Sequence, residues 1–156
     1  MRTSPNFAIV FDENDFITPQ NRVFGILLGD AIPKELVGTT DANFYTHYSE
    51  ISTVEANWDL HTLGRWDVGA NVFQWVATKT GDKVRKADVS NIFLNCSYPG
   101  IFNTKNFAPL PVPDVHSRRN GRTILPLVKQ IWGDATGKSP YKSHPLVPPS
   151  CLNPPK

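Results

Sequence analysis

Two adjacent carboxylates, Asp12 and Glu13, follow an unbroken apolar run at residues 7–11. A continuous apolar run of this length predicts a strand that is buried on both faces, as in a sheet covered by helices. The carboxylates then lie at the carboxyl end of the strand, where open α/β sheets place ligand sites. Two hard oxygen donors at this position indicate a divalent metal site or an acid–base pair, and the alternative is a solvated acidic turn.

A second candidate is His47, near the start of a segment with helical spacing at residues 45–58. Either Thr46 or Ser49 can cap this helix. The free backbone N–H groups and the dipole at a helix N-terminus favour an anion such as phosphate. His47 is therefore a candidate catalytic residue that binds phosphate, and the alternative is a histidine that only caps or packs.

The elements that position these residues include a second strand. Residues 23–29 form a short apolar run bounded by turn residues, which predicts another buried strand close to the first. Residues 30–43 contain Pro33 and a Gly-Thr-Thr-Asp break, and they are expected to form an ordered loop over the strand ends. Strands followed by helices make the predicted class α/β.

Three helices are predicted after this loop. The first covers residues 45–58, and the second runs from about residue 71 to 79 with Gly81 as its stop. The third runs from about residue 123 to 132, with Pro126 near its first turn, where the missing N–H costs least. The apolar faces consist of Tyr48, Ile51, Val54 and Trp58 on the first helix and of Val72, Phe73, Val76 and Ala77, facing inward, on the second.

Several cationic residues lie outside these patterns. Arg65 can clamp an oxyanion, but the favoured interpretation is an ion pair with Asp67 or a neighbour. The cluster of Arg118, Arg119 and Arg122 is too small to carry a nucleic-acid site, so no nucleic-acid partner is predicted.

The composition is that of one globular domain. The 156 residues are 40% hydrophobic and 19% charged, with a net charge of +2 that does not indicate a nucleic-acid partner. No apolar run approaches the roughly 20 residues of a membrane span, and the first residues do not form a signal peptide. Prolines are frequent near the C-terminus, so residues 134–156 are predicted to form an extended, irregular, Pro-rich tail after a domain at residues 1–133.

Two cysteines and one glycosylation sequon are relevant to whether the protein enters the secretory pathway. Cys96 and Cys151 can form one disulfide or stay free, and their spacing fits no zinc pattern. The sequon begins at Asn95 and matters only in the secretory pathway.

An ordered set of motifs resembles a known family. The motifs are FDEND at 11–15, NRVF at 21–24 with LLG at 27–29, YTHYS at 45–49, NW at 57–58 and LGRWD at 63–67. In this order and spacing they resemble the C-terminal part of fungal secreted acid phosphatases of the phosphoesterase family. That family also includes bacterial acid phosphatases and phospholipases C, and the resemblance extends from about residue 7 to residue 132.

The resemblance implies a fold and an activity. It implies part of an alkaline-phosphatase-like α/β/α sandwich that hydrolyses phosphate esters with the help of a divalent metal ion. The acidic pair matches Asp12 and Glu13, which would complete a metal site shared with a Glu-Asn pair near the N-terminus of the family. His47 matches a polar position at the helix start, which would support the phosphate or the transition-state oxyanion. The family also implies a secreted or vacuolar glycoprotein.

The resemblance further implies that part of the domain is missing. Only eleven residues precede Asp12, and they cannot supply the Glu-Asn pair or the hydroxyl nucleophile. The chain is therefore interpreted as a C-terminal fragment, inactive alone, whose partner is the N-terminal part of the same domain. Its short strands are then expected to expose apolar faces. The alternatives are a non-catalytic remnant or binding module of the same fold, and a phospholipase C-like phosphodiesterase.

Overall fold

A computed structural model describes residues 6–14, 22–88 and 111–147. These residues form small sheets and helices, which confirms the α/β class at the level of mixed secondary structure. Within these ranges each of the two sheets has two strands. In chain order the elements are β1 (Asn6–Val10), β2 (Gly25–Gly29), α1 (His47–Asn57), α2 (Trp66–Gly69), α3 (Gln74–Thr80), β3 (Arg118–Arg119), β4 (Arg122–Thr123) and α4 (Pro126–Trp132).

β1 and β2 form an antiparallel hairpin in which Ala8 lies opposite Leu27. The predicted proximity of the two apolar runs is confirmed. The prediction that both strands are buried is wrong, because every residue of β1 is exposed and only Leu27 of β2 is partly covered. The expectation that the short strands expose apolar faces is confirmed. A two-stranded sheet has two open faces, and successive side chains point to opposite ones. Phe7, for example, is 63% exposed.

α1 buries the side opposite to its apolar face. The helix lies within the predicted range of residues 45–58, and Thr46 is its N-cap. The predicted apolar face is largely in contact with solvent, with Ile51 39% and Trp58 64% exposed. The other side packs against α2 and α3. The side chains that α1 buries there are small or polar, namely Ser49, Ser52, Glu55 and Ala56.

A small apolar core lies between α1 and α3. α3 begins at Gln74, three residues later than predicted, because Phe73 has an extended backbone and serves as the N-cap. It ends at Thr80, and Gly81 is its stop, as predicted, with a φ of 75° that glycine adopts without steric cost. The core consists of Ala56, Val72, Val76 and Ala77, with Trp75 and Val84 packed against it.

β3 and β4 form a tight hairpin that the sequence interpretation missed. Its turn residues Asn120 and Gly121 have φ angles of 45° and 85°. A type I′ turn requires positive φ at both positions, and Asn-Gly is its strongest sequence signal. After β4, Ile124 forms a parallel bridge with Thr62, which attaches this hairpin to the segment before α2.

α4 is shorter at its start than the predicted helix at residues 123–132. It begins at Pro126, which occupies the first turn as predicted, and it reaches Trp132. The residues before Pro126 belong instead to β4 and the bridge of Ile124.

The described part of the Pro-rich tail, residues 134–147, folds back on the domain. Tyr141 is 3% exposed, and its ring packs edge-on against Trp66 with 4.5 Å between the ring centroids. A Cβ atom at Gly69 would overlap the backbone carbonyl oxygen of Pro145. The prediction of an extended tail is therefore wrong for these residues, and the domain boundary at residue 133 stays a prediction.

Three predicted features lie outside the described residues. These are Cys96, Cys151 and the sequon at Asn95. The predictions about a disulfide and about glycosylation therefore stay predictions. Within the described ranges, no helix has the length and hydropathy needed to cross a membrane.

Asn71 is a buried side chain that joins two loops. Its Nδ2 donates to the backbone oxygens of Phe44 and Arg85, each at 2.9 Å. Its Oδ1 accepts from the backbone N–H of Arg85 at 2.8 Å. These three hydrogen bonds hold the chain before α1 against the chain after α3.

We expect Asn71→Ala to lower the free energy of unfolding by about 1–3 kcal/mol, because it leaves three partly buried backbone groups without their partner. Urea unfolding of the 156-residue chain measures this change. Asn57→Ala is the control, since Asn57 is exposed at the last position of α1. A loss for Asn71→Ala no larger than that of the control would contradict the structural role.

Candidate functional site

The acidic pair lies just beyond β1, which ends at Val10. The chain bends at Asp12, and both carboxylates are exposed. Oδ1 of Asp12 accepts a hydrogen bond from the backbone N–H of Glu13 at 3.0 Å. Asp12 and Glu13 are thus next to a strand end and accessible to a ligand.

His47 contacts this acidic turn. Its Nε2 lies 2.7 Å from the backbone oxygen of Asp12, which is 35 residues earlier in the chain. The carbonyl can only accept, so the imidazole N–H is the donor. Two residues that were predicted from separate motifs are therefore adjacent, while their catalytic and metal-binding roles stay predictions.

The other ring nitrogen of His47 faces a carboxylate. Nδ1 lies 3.1 Å from Oε1 of Glu50, one turn further along α1. This hydrogen bond raises the pKa of His47 above its ordinary value of 6.5; partial burial opposes it, and the Asp12 carbonyl adds to it. An acceptor at each nitrogen favours the imidazolium form. The side chain is 53% exposed, so this cation can meet a ligand.

The start of α1 is capped by its own residues. Thr46 is the N-cap, and its backbone N–H donates to Oγ of Ser49 at 3.1 Å. In turn the backbone N–H of Ser49 donates to the Thr46 carbonyl at 2.7 Å. His47 is therefore the first residue of the helix and is not its cap.

A polar network before α1 positions this helix start, and the sequence interpretation missed it. The Tyr45 hydroxyl donates to Oδ2 of Asp41 at 2.5 Å and accepts from the backbone N–H of Gln74 at 3.0 Å. Burial raises the pKa of Tyr45, and the Asp41 carboxylate raises it further, so the hydroxyl remains a donor. Asp41 Oδ1 also accepts from the backbone N–H of Asn43 at 2.9 Å, a local turn that the Asp-x-Asn pattern could have indicated.

Arg65 and Asp67 do not form the ion pair that was favoured. The Arg65 guanidinium donates to the Pro111 carbonyl at 2.5 Å and to the Tyr141 hydroxyl at 3.0 Å. The Asp67 carboxylate instead accepts from two backbone N–H groups, those of Leu63 and Arg65, each at 2.8 Å. The interpretation failed because backbone donors of a tight turn lie closer to the carboxylate than the long arginine side chain does. Both residues therefore hold the fold.

The side chains near the acidic turn supply only part of the ligands that a metal ion needs. Carboxylate oxygens of Asp12 and Glu13 are the hard ligands that divalent cations such as Mg²⁺ and Ca²⁺ prefer. His47 is poorly placed to add a nitrogen ligand, because both of its ring nitrogens already face acceptors. Within the described residues, no group of three or more Asp, Glu, His or Cys side chains is arranged to hold a metal ion. A complete site therefore needs further ligands from elsewhere.

The known proteins to which this chain is similar all bear the name of fungal acid phosphatases. The chain is 42% identical over 140 residues to an acid phosphatase of Aspergillus fumigatus and 44% identical over 138 residues to a probable acid phosphatase of Kluyveromyces lactis. These matches cover 86% and 87% of this chain. A phosphate-repressible acid phosphatase of Penicillium chrysogenum is 51% identical over 100 residues, which is 64% of this chain.

The chain spans about a quarter to a third of the length of these curated relatives, with 24% of the Penicillium protein and 31–32% of the other two covered. No family model matches the chain, and no solved structure matches it. The resemblance to fungal acid phosphatases that the ordered motifs predict is nevertheless confirmed by the relatives. Over most of its length, this chain is a homologue of part of the fungal acid phosphatases.

Proposed function

We propose that this chain is the C-terminal part of a phosphate-ester hydrolase of the acid phosphatase type. The observation that carries the proposal is the 38–51% identity to fungal acid phosphatases. The contact between His47 and Asp12 supports it, because residues from two motifs meet beside the end of β1. In this proposal the hydroxyl nucleophile and the Glu-Asn pair belong to the preceding part of the domain.

A divalent metal ion is part of the proposal, with Asp12 and Glu13 as its ligands from this chain. When bound, the ion neutralises phosphate charge and lowers the pKa of the nucleophile. The Glu13 N–H fixes the carboxylate of Asp12, and His47 fixes the backbone carbonyl of the same residue. Asp12 is therefore held from two sides, and such outer contacts orient a metal ligand.

His47 is the proposed catalytic residue of this chain. Its imidazolium charge and the N-terminus of α1 both attract a phosphate anion to the acidic turn. Since the ring is half exposed, one N–H can exchange its present acceptor for a phosphate oxygen. The same charge then stabilises the oxyanion that develops in the transition state.

The partner in the proposal is the N-terminal part of the same domain, and the complete fold is an alkaline-phosphatase-like α/β/α sandwich. Both faces of the β1–β2 hairpin and the apolar face of α1 are exposed in the described structure, and a covering layer would remove them from water. The side chains concerned are Phe7, Ile9, Phe11, Phe24, Ile26, Leu28, Ile51, Val54 and Trp58.

The substrate class in the proposal is a small phosphate monoester, and the location is secreted or vacuolar, with glycosylation at Asn95. A phospholipase C-like diesterase is distinguished by its preference for bis(p-nitrophenyl) phosphate over p-nitrophenyl phosphate. A non-catalytic remnant hydrolyses neither compound, even when the rest of the domain is supplied.

The metal-ligand assignment is tested in a chimera in which this chain replaces the matching third of the Aspergillus fumigatus enzyme. We expect Asp12→Asn to reduce p-nitrophenyl phosphate hydrolysis about 100-fold or more, since a catalytic metal ion contributes several kcal/mol of charge stabilisation. Glu35→Gln, at an exposed carboxylate in a short 3-10 turn, should keep full activity. An Asp12→Asn chimera with unchanged rate would refute the assignment, and an inactive parent chimera would refute the hydrolase proposal.

We expect Glu50→Gln to lower the pKa of His47 towards its ordinary value, because the Glu50 carboxylate is the largest cause of the increase. An NMR titration of the imidazole nitrogens in the 156-residue chain measures this.

The interaction of protonated His47 with Glu50 also stabilises the fold. This stabilisation is present below the raised pKa of His47 and is lost as pH rises through that pKa. Glu50→Gln should therefore cost a few tenths of a kcal/mol at pH 5 and nothing at pH 9. An unchanged His47 titration would contradict this pairing.

The proposed partner surface is tested with Trp58→Ser, since Trp58 is exposed at the end of the α1 apolar face. In the 156-residue chain we expect the free energy of unfolding to change by less than about 0.5 kcal/mol. In the chimera we expect a loss of about 1.5–3 kcal/mol, the effect of uncovering a buried large apolar side chain. Val72→Ala is the control that should destabilise both proteins. Equal effects of Trp58→Ser in both would argue against a covering layer.

A further inference from the structure

Glu55 is a buried carboxyl group that the proposed function does not use. It lies on the packed side of α1 and is 4% exposed. Neither of its oxygens receives a hydrogen bond from an N–H or O–H group. A carboxylate in this position would be charged, out of water and without donors, which is a costly state in a protein interior.

The neighbouring Asp67 is in the opposite situation. It is 1% exposed, but its two oxygens accept from the backbone N–H groups of Leu63 and Arg65. These donors replace the hydrogen bonds to water that Asp67 loses on burial. The Asp67 charge in turn acts on Glu55 and opposes its ionisation.

The nearby arginines both pair with Asp82, and Nε of Arg122 is buried without an acceptor. Arg122 donates to Oδ1 of Asp82 at 2.6 Å, and Arg119 donates to the same oxygen at 3.1 Å. The Nη1 of Arg119 donates to Oγ of Ser52 and to backbone carbonyls. The charged groups that act on Glu55 are thus Asp67 on α2, Arg119 on β3 and Arg122 on β4, with Asp82 paired to both arginines.

Two arginines, Arg119 and Arg122, face three carboxyl groups, those of Glu55, Asp67 and Asp82, so a neutral cluster holds one proton. Glu55 is the carboxyl group of the three whose oxygens have no hydrogen-bond donor, so the proton is assigned to Glu55. A protonated Glu55 has an O–H donor, and Asp67 is the carboxylate with which it interacts, so Glu55 can donate to Asp67.

We propose that Glu55 and Asp67 form a buried proton-binding site that joins α1 to α2 and makes the fold more stable in acid than in base. The site is independent of the acidic turn and does not rest on the phosphatase proposal. Its proton is a structural component in the same sense as a bound ligand, because the folded chain binds it more tightly than the unfolded chain does.

The direction of the pH dependence follows from the environment of Glu55. Burial, and then the Asp67 charge, raise its pKa from 4.5 to about 8. Between these two values the folded chain holds a proton that the unfolded chain has released. The stabilisation is therefore complete below pH 4.5 and is lost as pH rises through about 8.

The test compares the 156-residue chain with its Glu55→Gln variant by urea unfolding between pH 5 and 9. Gln is neutral at every pH and keeps a donor for Asp67, so both proteins should be about equally stable at pH 5. The folding equilibrium constant of the parent should then fall relative to the variant by up to about tenfold per pH unit up to pH 8. Glu35→Gln should follow the parent at every pH, and a constant difference between parent and Glu55→Gln would overturn the proposal.

A second measurement needs no variant. The carboxyl ¹³C signal of Glu55 in the labelled 156-residue chain should titrate at or above pH 7. If Glu55→Gln does not fold, this titration alone decides. A midpoint for Glu55 between pH 4 and 5 would overturn the proposal.

Discussion

The guanidinium of Arg119 is the group on which the described fold most depends. Its Nη1 donates to Oγ of Ser52 on α1 and to the backbone carbonyls of residues 67, 68 and 70 around the end of α2. Its Nε donates to Asp82 after α3. The N–H groups of a guanidinium point in fixed directions within one plane, so Nη1 and Nε of one side chain can join these elements, which the compact ammonium of a lysine cannot do. Burial lowers the pKa of Arg119, and the Asp82 charge opposes this decrease.

This contact explains why α1 has its polar side inward. A buried guanidinium needs acceptors around it, and Ser52 on α1 supplies one of them. Once that side faces the cluster, the residues of the apolar face, such as Ile51 and Trp58, have to point away from it. The helix is therefore apolar on its outer side because its inner side serves a buried charge network, and Ala56 is its contribution to the small apolar core.

The sequence could predict elements better than it could predict their surroundings. The helical spacing of apolar residues predicted the position of α1. The end of α3 was predicted from Gly81, because glycine readily adopts the left-handed backbone conformation that follows a helix. The burial of β1 was predicted wrongly. An apolar run shows that a strand is suited to burial, but it does not show whether the same chain supplies an element that covers it. The Asn120-Gly121 turn carried a readable signal that was missed. The burial of Arg119 could not be read from the sequence, since its partners lie 37 to 67 residues away.

The same distinction applies to the candidate site. Asp12, Glu13 and His47 stood out because carboxylates after a strand and a histidine at a helix start are local patterns. The contact between His47 and Asp12 spans 35 residues and depends on how the β1–β2 hairpin meets α1, which no local pattern encodes. The loop network of Tyr45 and Asp41 and the carboxyl pair of Glu55 and Asp67 are likewise products of packing.

The close approach of the tail to α2 has a consequence for how such chains diversify. Because Pro145 occupies the space that a Cβ of residue 69 would need, Gly69 is required only while the tail lies there. Homologues that have shortened or rerouted this tail are released from the requirement. Residue 69 and the tail should thus change together during evolution, and a larger amino acid at this position is expected in homologues whose tail does not pack against α2.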